Sequence, residues 1–475
     1  MVPAGAGLAS VVSWRAGVLA LALAHLALVG SAQPVAPHAD TLPGVAPLAA
    51  ERASPAGVAG SFAHGFDAVV DLVKREYWDS TRLDWDAWAQ AHRGEAVVAP
   101  DRASFDAVMR RLLRALDDDH SLWLGIPAPD GGPAADVDDG TSLPPRLGVQ
   151  FSFVAGRGLL VERVFADTPA ASAGLRRGDV IVAVGGTLLS ERSSLADANT
   201  LLVEALATGP VRLRIERRRV QLEVEVAGAQ VAFADVAATP YGVMLDDLTG
   251  YLAVPSFSGA GVGEQAHRAL AQLREKGAVG VVLDLRGNLG GRLVEAGLLL
   301  GAFMDGHWAD AVIRRRGPDG VSVHDVVVWH ASVTREGDEL VSRLVTVEGE
   351  VMAALRGGDA VTWRGPVVVL VGAETVSAGE LVALALQDHG RGRVVGEPTP
   401  GNVEAVQGFS LADGSRVLVA VADLRGPRGL AYADGVVPDA TARAQPGELA
   451  RGIDAALVEA RRLLGGLPFT PDRRF

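Results

Sequence analysis

The stretch GPVVVLVGAETVSAGELVALALQDHG, residues 365–390, indicates the fold of the C-terminal half of the chain. Its first part is a short continuous apolar run, which is typical of a strand buried on both faces of a sheet. A turn leads from this strand to Ser377, where an apolar helical run begins. Such a strand, turn and helix hold a side chain at the carboxyl end of a sheet, where the active sites of α/β proteins form.

Ser377 has two interpretations. In SAGE, residues 377–380, the serine is followed three residues later by Glu380, and this pattern fits a capping box with a purely structural role. The N-terminus of a helix also favours negative charge, so a serine nucleophile at this position would find its oxyanion stabilised. The second interpretation requires a base that takes the serine proton.

Further strand and helix patterns precede this stretch. GYLAVPSF, residues 250–257, and AVGVVLDLRG, residues 278–287, are apolar strand patterns with a helical pattern between them. Apolar strands separated by helices predict an α/β layer whose sheet is covered on both faces. We place this core at residues 231–445, followed by a C-terminal helix and tail at 446–475.

The bulk composition excludes several classes of function. The 475 residues are 49% hydrophobic and 21% charged, which indicates a globular chain of several domains. The chain has 44 basic and 57 acidic residues, a net charge of −13, and no continuous basic face, which argues against a nucleic-acid partner. Cysteine is absent, so disulfides, thiol nucleophiles and cysteine metal sites are excluded.

The N-terminus has the pattern of an export signal. One positive charge at Arg15 precedes a short apolar run, and small residues lead to a plausible cut after Ala32. We predict a signal peptide at residues 1–32, a Pro- and Ala-rich linker at 33–60, and a periplasmic or secreted protein. The alternative is an uncleaved anchor in the cell envelope, although the apolar run is short for a membrane span.

Two regions are predicted between the linker and the core. Residues 61–126 have helical apolar periodicity and end in the acidic turn DDDHS, residues 117–121. Residues 146–228 contain short strand patterns, SAGLRRGDVIVAVGG at 172–186, and a following helix, and this order resembles a PDZ domain. The resemblance implies that the loop Leu147, Gly148 and Val149 binds a chain-terminal carboxylate, with the peptide added to the sheet edge.

A glycine-rich turn ends the strand pattern at residues 278–287. DLRGNLGG, residues 284–291, can bring backbone N–H groups close to a substrate, although a tight turn would also explain its glycines. Together with VSAGE, GEPTPGN and GVVPD, this segment resembles the C-terminal-processing (tail-specific) peptidase family. The resemblance implies a ClpP/crotonase-like core and a Ser377 nucleophile, with oxyanion donors at Ala378 and at Gly290 or Gly291. Asp388 matches a family acid near the site.

One departure from the family changes the expected mechanism. The processing peptidases place a lysine base 25 residues after the serine, and this chain has Asn402 there. Asparagine has no titratable amine, and the last lysine of the chain is Lys276. Tyr432 stands where relatives often carry glutamate. A serine–histidine arrangement, as in the tricorn-like branch, is therefore expected instead.

His120 is the predicted base. It stands in DDDHS at the place that the tricorn-like branch uses, and imidazole titrates near neutral pH. A carboxylate should orient it, with Glu404 as the first choice. The alternatives are Asp119, Asp388 and Asp434. His324, His330 and His389 show no spacing typical of metal ligands, and no cofactor or metal is expected.

The sequence thus predicts an exported serine endopeptidase that cleaves unstructured or C-terminal segments presented by a PDZ domain. The alternative is a catalytically inactive peptide- or ligand-binding protein on the same fold, which Asn402 and Tyr432 favour. The oligomeric state is not predicted.

Overall fold

The computed structural model describes residues 58–118, 120–126, 147–165, 168–192, 195–229, 239–358, 360–401, 403–426, 435–443 and 445–465. The predicted signal peptide and most of the linker lie outside these residues, as do Asp119, Asn402, Tyr432 and Asp434. No helix among the described residues combines the length and the apolar character that a membrane crossing requires.

Three helices and a short strand form the N-terminal region. Their bounds are α1 Val58–Glu76, α2 Trp85–Val97, α3 Arg102–Arg114 and β1 Leu122–Gly125. Asp84 and Asp101 cap α2 and α3 by accepting hydrogen bonds from backbone N–H groups of the first turn. The apolar faces predicted from the 3.6-residue period are buried together, and Val417 and Val419 of a core strand complete this cluster.

The PDZ region forms a five-stranded sheet with one strand at its side and short helices. Its elements are β2 Val149–Val154, β3 Gly158–Val164, α4 Pro169–Ser172, β4 Val180–Val184, β5 Thr187–Leu188, α5 Leu195–Ala207, β6 Val211–Arg217 and β7 Val220–Val226. The order is β2-β3-β4-β6-β7, with β5 paired to β4. Strand β2 is therefore an edge strand, the position to which PDZ domains add a peptide.

A mostly parallel six-stranded sheet forms the centre of the core. Its elements are β8 Tyr241–Met244, β9 Thr249–Ala253, α6 Val262–Glu275, β10 Gly280–Asp284, α7 Leu293–Leu300, β15 Val367–Val371, α8 Ala378–Asp388, β16 Arg393–Gly396 and β19 Ala440–Thr441. The order is β19-β16-β15-β10-β9-β8, and only β8 is antiparallel to its neighbour. All residues of β9, β10 and β15 are buried, as their apolar composition predicts.

A seven-stranded antiparallel sheet packs beside it. Its strands are β11 Gly306–Arg316, β12 Val323–Glu336, β13 Glu339–Thr346, β14 Val351–Gly357, β17 Glu404–Ser410 and β18 Arg416–Arg425, together with β1. The order is β1-β18-β11-β12-β13-β14, and β17 pairs with the other side of β18. Strand β1 thus joins the N-terminal helical region to the core.

The C-terminal segment differs from the prediction of one continuous helix. It forms α9 Pro446–Leu449 and α10 Ala455–Leu463, separated at Gly452, which has φ +78°. The left-handed backbone of this glycine ends the first helix, and Asp454 caps the second by accepting the N–H of Leu457. The same Asp454 carboxylate also contacts Arg177 of the PDZ region.

Ion pairs and a hydrogen bond connect the PDZ region to the core. Arg177 of the PDZ region contacts Asp454 at 2.5 Å, and Arg286 of the core contacts the same carboxylate at 2.8 Å. Arg163 on β3 donates to the Tyr251 hydroxyl at 3.0 Å. Because Arg286 precedes the glycine-rich turn at 287–291, the PDZ region and this turn share one polar network.

Candidate active site

Ser377 stands between β15 and α8 in an unusual backbone conformation. Its φ is +55° and its ψ is −125°, a combination that residues with a side chain rarely adopt. Strained backbone of this kind concentrates at functional sites, and a serine at a sharp strand-to-helix turn projects its hydroxyl above the sheet edge. The strand, turn and helix predicted from residues 365–390 are present.

Glu380 holds this turn in place. Ser377 and Glu380 form the capping-box arrangement, in which the Glu380 carboxylate accepts the Ser377 backbone N–H at 3.0 Å. The same buried carboxylate accepts the Thr399 hydroxyl at 2.5 Å and the Gly401 N–H at 2.8 Å. A capping role and a nucleophilic role are therefore compatible, because the cap fixes the backbone from which the Ser377 side chain projects.

The glycine-rich turn after β10 is organised by Asn288, whose side chain is fully buried. Its Nδ2 donates to the Val254 carbonyl at 2.8 Å, and its Oδ1 accepts the Gly290 N–H at 2.8 Å. Its backbone carbonyl accepts the Val376 N–H at 2.9 Å. Asn288 thus joins the glycine-rich turn to the residue immediately before Ser377. Asn288 was not among the predicted site residues, although its position between DLRG and LGG was the available signal.

Gly290 lies directly against the serine. A Cβ on Gly290 would lie 2.6 Å from the Ser377 Cβ and 3.1 Å from the Ala378 nitrogen, so no larger residue fits. The backbone N–H groups of Ala378 and Gly291 have no acceptor among the described residues. The Gly290 N–H is already donated to Asn288, and this arrangement favours Gly291 over Gly290 as the second oxyanion donor.

His120 and Glu404 are brought together from segments 284 positions apart in the chain. His120 Nδ1 lies 2.9 Å from Glu404 Oε2, and only 1% of the histidine surface is exposed. Strand β1, which begins two residues after His120, and strand β17, which begins at Glu404, pair with opposite sides of β18 and so bring the two segments to the same strand. The pairing predicted between the base and its first-choice carboxylate is therefore present in the structure.

Asp118 supports the histidine from the backbone side. Its Oδ1 accepts the N–H groups of His120 at 2.8 Å and Ser121 at 2.6 Å. Burial raises the pKa of Asp118, and the negative charge of Glu404 adds to that rise. Burial also raises the pKa of Tyr77, which lies beside Asp118 and stays neutral. Asp118 was not among the predicted site residues, although it stands within the quoted DDDHS.

An apolar cluster links the histidine pair to the glycine-rich turn. Leu289, next to Gly290, packs with Leu122, Leu124, Val406 and Leu418. Leu122 follows His120 by two residues, and Val406 follows Glu404 by two. The segments that carry the proposed base and its carboxylate therefore pack against Leu418, as does Leu289 of the turn that touches Ser377.

The structure does not bring Asp388 to this site. Asp388 is the last residue of α8, and Ser377 caps the opposite end of that helix. Eleven residues at 1.5 Å per residue separate the two by roughly 16 Å along the helix axis. We therefore no longer retain Asp388 as a member of the site, because a helix that starts at the serine carries its last residue away from it.

The predicted carboxylate loop of the PDZ region lies at the start of β2. Leu147 is buried in the PDZ core, and Gly148 has φ +73° with Thr168 so close that a Cβ would lie 2.4 Å from it. The carbonyls of Leu147 and Gly148 accept N–H groups from Ala170 and Phe165, respectively. The carbonyls of Leu147 and Gly148 thus point into the domain. This leaves the backbone N–H groups of the loop compatible with binding a carboxylate on the other side.

Comparison with known proteins agrees with this architecture. The PDZ domain family matches residues 145–227, and peptidase family S41 matches residues 248–442. A carboxyl-terminal-processing protease of Synechocystis sp. is 33% identical over 275 residues, which cover 55% of this chain and 54% of that protein. A chloroplastic C-terminal processing peptidase of Tetradesmus obliquus is 29% identical over 355 residues, covering 71% of this chain and 67% of that protein. The chain thus spans about half to two thirds of these relatives.

Solved structures share the fold. A photosystem II D1 C-terminal processing protease matches with a TM-score of 0.52 and 23% identity, covering 86% of this chain and 98% of that chain. Mature CPAF matches with a TM-score of 0.50 and 13% identity, covering 83% of this chain and 94% of that chain. The predicted order of helical region, PDZ domain and α/β core is confirmed. Residues 248–442 of the chain thus match peptidase family S41, and a match to the PDZ domain family precedes them at residues 145–227.

Proposed function

We propose that this protein is a serine peptidase that cleaves polypeptides near C-terminal or unstructured segments held by its PDZ domain. The observation that carries the proposal is the strained Ser377 turn, with Gly290 against the serine and an Ala378 N–H that has no acceptor among the described residues. Because a capping serine alone does not need this backbone strain, the geometry favours a nucleophile. The names of the curated relatives support the substrate class.

In the proposed reaction, Ser377 Oγ attacks a peptide carbonyl while His120 takes the hydroxyl proton. The Ala378 and Gly291 N–H groups hold the oxyanion, and the leaving amine receives the proton from the imidazole. Glu404 positions the ring and stabilises its charged form. Water then hydrolyses the acyl-enzyme by the same proton transfers. Asn402 and the absence of lysine after Lys276 support a histidine base rather than a lysine base.

The PDZ loop at Leu147, Gly148 and Val149 would bind the substrate carboxylate, and the peptide would pair with the edge strand β2. The signal-peptide pattern at residues 1–32 supports an exported enzyme in the periplasm or outside the cell. The alternative function is an inactive receptor for peptides on the same fold, and Asn402 is the observation that favours it.

A fluorophosphonate probe that acylates reactive serines separates the two functions. We expect the parent protein to be labelled and Ser377→Ala to remain unlabelled, while Ser410→Ala, which removes an exposed serine of β17, is labelled like the parent. A parent that binds a peptide with a free C-terminal carboxylate but is never labelled would establish the receptor function and end the peptidase proposal.

A further inference from the structure

Three metal-ligating side chains converge on the outer sheet, away from Ser377. His307 and Asp310 belong to β11, and His330 belongs to β12. Asp310 Oδ1 lies 2.6 Å from His307 Nε2 and 2.5 Å from His330 Nδ1. The two imidazole rings are perpendicular with centroids 5.3 Å apart, and one potential ligand atom from each residue lies within 4.8 Å of the others.

A β-bulge creates this cluster. Residues three apart in a regular strand face opposite sides of the sheet, so His307 and Asp310 would normally point apart. The register shifts between His307 and Ala309, and Trp308 and Ala309 are both buried. The inserted residue turns His307 to the face of Asp310, and Asp310 is directly paired with His330 across the strands. Sequence spacing could not reveal this arrangement.

The neighbouring charges leave the cluster able to take a cation. Arg425 on β18 is paired with Asp310 in register, but its guanidinium is engaged by Asp423 at 2.9 Å and Asp325 at 2.8 Å. The three side chains are only partly exposed, at 39% for His307, 14% for Asp310 and 42% for His330. A solvent-accessible ligand set with one carboxylate at its centre is therefore present.

The chemistry of the donors selects the class of metal. Two imidazole nitrogens and one carboxylate oxygen suit Zn²⁺ and related divalent transition metals, whereas Mg²⁺ and Ca²⁺ prefer oxygen ligands alone. Three protein ligands leave room for a water molecule in a tetrahedral Zn²⁺ shell. We propose that His307, Asp310 and His330 form a Zn²⁺ site on the outer sheet of this protein.

The site would lie at the far end of the serine helix. His389, which follows the last residue of α8, has its Nε2 3.1 Å from the His307 carbonyl. Metal binding would therefore fix the β11 bulge to β12 and brace the C-terminal end of the helix whose N-terminus follows Ser377. The distance from the serine, roughly 16 Å along α8, makes this a structural site and not part of the catalytic machinery.

Titration of the untagged, chelator-stripped full chain with Zn²⁺ tests the proposal by calorimetry. We expect one Zn²⁺ per chain and a rise in melting temperature with Zn²⁺ concentration, since a ligand bound only by the folded state stabilises it. Titration with Co²⁺ should add the visible absorption bands of a tetrahedral nitrogen- and oxygen-ligated ion. Mg²⁺ should produce neither effect.

Variants of the three residues identify the site. His307→Ala, His330→Ala and the isosteric Asp310→Asn should each weaken Zn²⁺ binding at least ~10-fold. His324→Ala, which removes a histidine of the same β12 strand outside the cluster, should bind like the parent. Unchanged melting of Asp310→Asn in chelator would show that the variant is folded. A parent that binds no Zn²⁺, or variants that bind as the parent does, would overturn the proposal.

Discussion

At the residue scale, the contact between Gly290 and Ser377 sets a tight constraint in the proposed active site. A Cβ on Gly290 would collide with the Ser377 Cβ at 2.6 Å, and φ +83° is itself unfavourable for alanine by about 1–2 kcal/mol. We expect Gly290→Ala to displace the oxyanion donors and lower kcat by ~10²-fold or more. Peptidase assays beside Gly94→Ala, a glycine of α2 with open space around its Cβ, provide the matched control.

The His120–Glu404 pair makes a second prediction at this scale. His120→Ala removes the proposed base, so kcat should fall about 10²–10⁴-fold, and Glu404→Gln should cause a smaller loss because the ring remains present. KM should change little in both variants, since neither side chain is proposed to bind the peptide. His92→Ala, which removes a partly buried histidine of α2, is the control in steady-state assays. Equal activity of His120→Ala and parent would refute the serine–histidine mechanism.

At the element scale, sequence pattern predicts some elements well and others poorly. The buried strands β10 and β15 are predicted because they are continuous apolar runs, broken only by Asp284 at the end of β10, and such runs are typical of strands covered on both faces. Strand β12 alternates less clearly and carries charged residues such as Asp325 and Arg335 along 14 positions. Its burial depends on its cross-strand neighbours β11 and β13, and the sequence of β12 does not contain that information.

The candidate site also contains parts that the sequence predicts and parts that depend on distant segments of the chain. Ser377, Ala378 and the glycine-rich turn lie at strand ends that the sequence marks, so their positions were predictable. The contact between His120 and Glu404 depends on two strands pairing with opposite sides of β18. The resemblance to a family suggested His120, and the need of a histidine base for an orienting carboxylate suggested Glu404. Asp388 was wrongly included because eleven residues along a helix is a short distance in sequence but a long one in space.

A third prediction concerns the contact between β2 and the glycine-rich turn. A Cβ on Gly287, where φ is +70°, would lie 2.4 Å from Gln150 Nε2. We expect Gly287→Ala to destabilise the fold by about 1–2 kcal/mol from its backbone conformation, plus the cost of displacing Gln150. When Gly287→Ala is combined with Gln150→Ala, no Gln150 side chain is left to be displaced, and only the backbone cost of Gly287→Ala remains. The double variant should therefore be less destabilised than the sum of the two single variants. Additive losses in denaturant titrations would show that the two side chains do not interact.

At the scale of the whole molecule, buried acidic residues at the junction of the PDZ domain and the core have shifted pKa values, so the stability of the protein depends on pH. Burial raises the pKa of Glu162 on β3 and of Glu374 in the turn before Ser377, and the charges of Glu162 and Glu397 raise that of Glu374 further. The pKa of Asp454, at the same junction, is shifted in the opposite direction. Burial would raise its pKa, but the charges of Arg286 and Arg177 hold it well below the usual range.

The sign of the resulting pH dependence follows from the raised pKa values. In the unfolded chain a glutamate titrates near pH ~4.3, whereas in the folded protein Glu162 and Glu374 keep their protons to higher pH. Their contribution to stability is therefore fully present below about pH 4 and is lost as pH rises through the raised values. Asp454 contributes in the opposite sense, since its stabilisation is present above the unfolded pKa and lost only in strong acid.

Glu162→Gln isolates this effect, because glutamine keeps the shape of the side chain and has no charge to desolvate. The melting temperature of Glu162→Gln should equal that of the parent near pH ~4, where both side chains are neutral, and exceed it increasingly toward neutral pH. Glu225→Gln, on an exposed position of β7, should show no such divergence. A constant difference across the pH series would mean that the Glu162 carboxyl titrates alike in the folded and unfolded states, which would contradict its raised pKa. A growing difference would show that the folded protein is most stable when this carboxyl retains its proton.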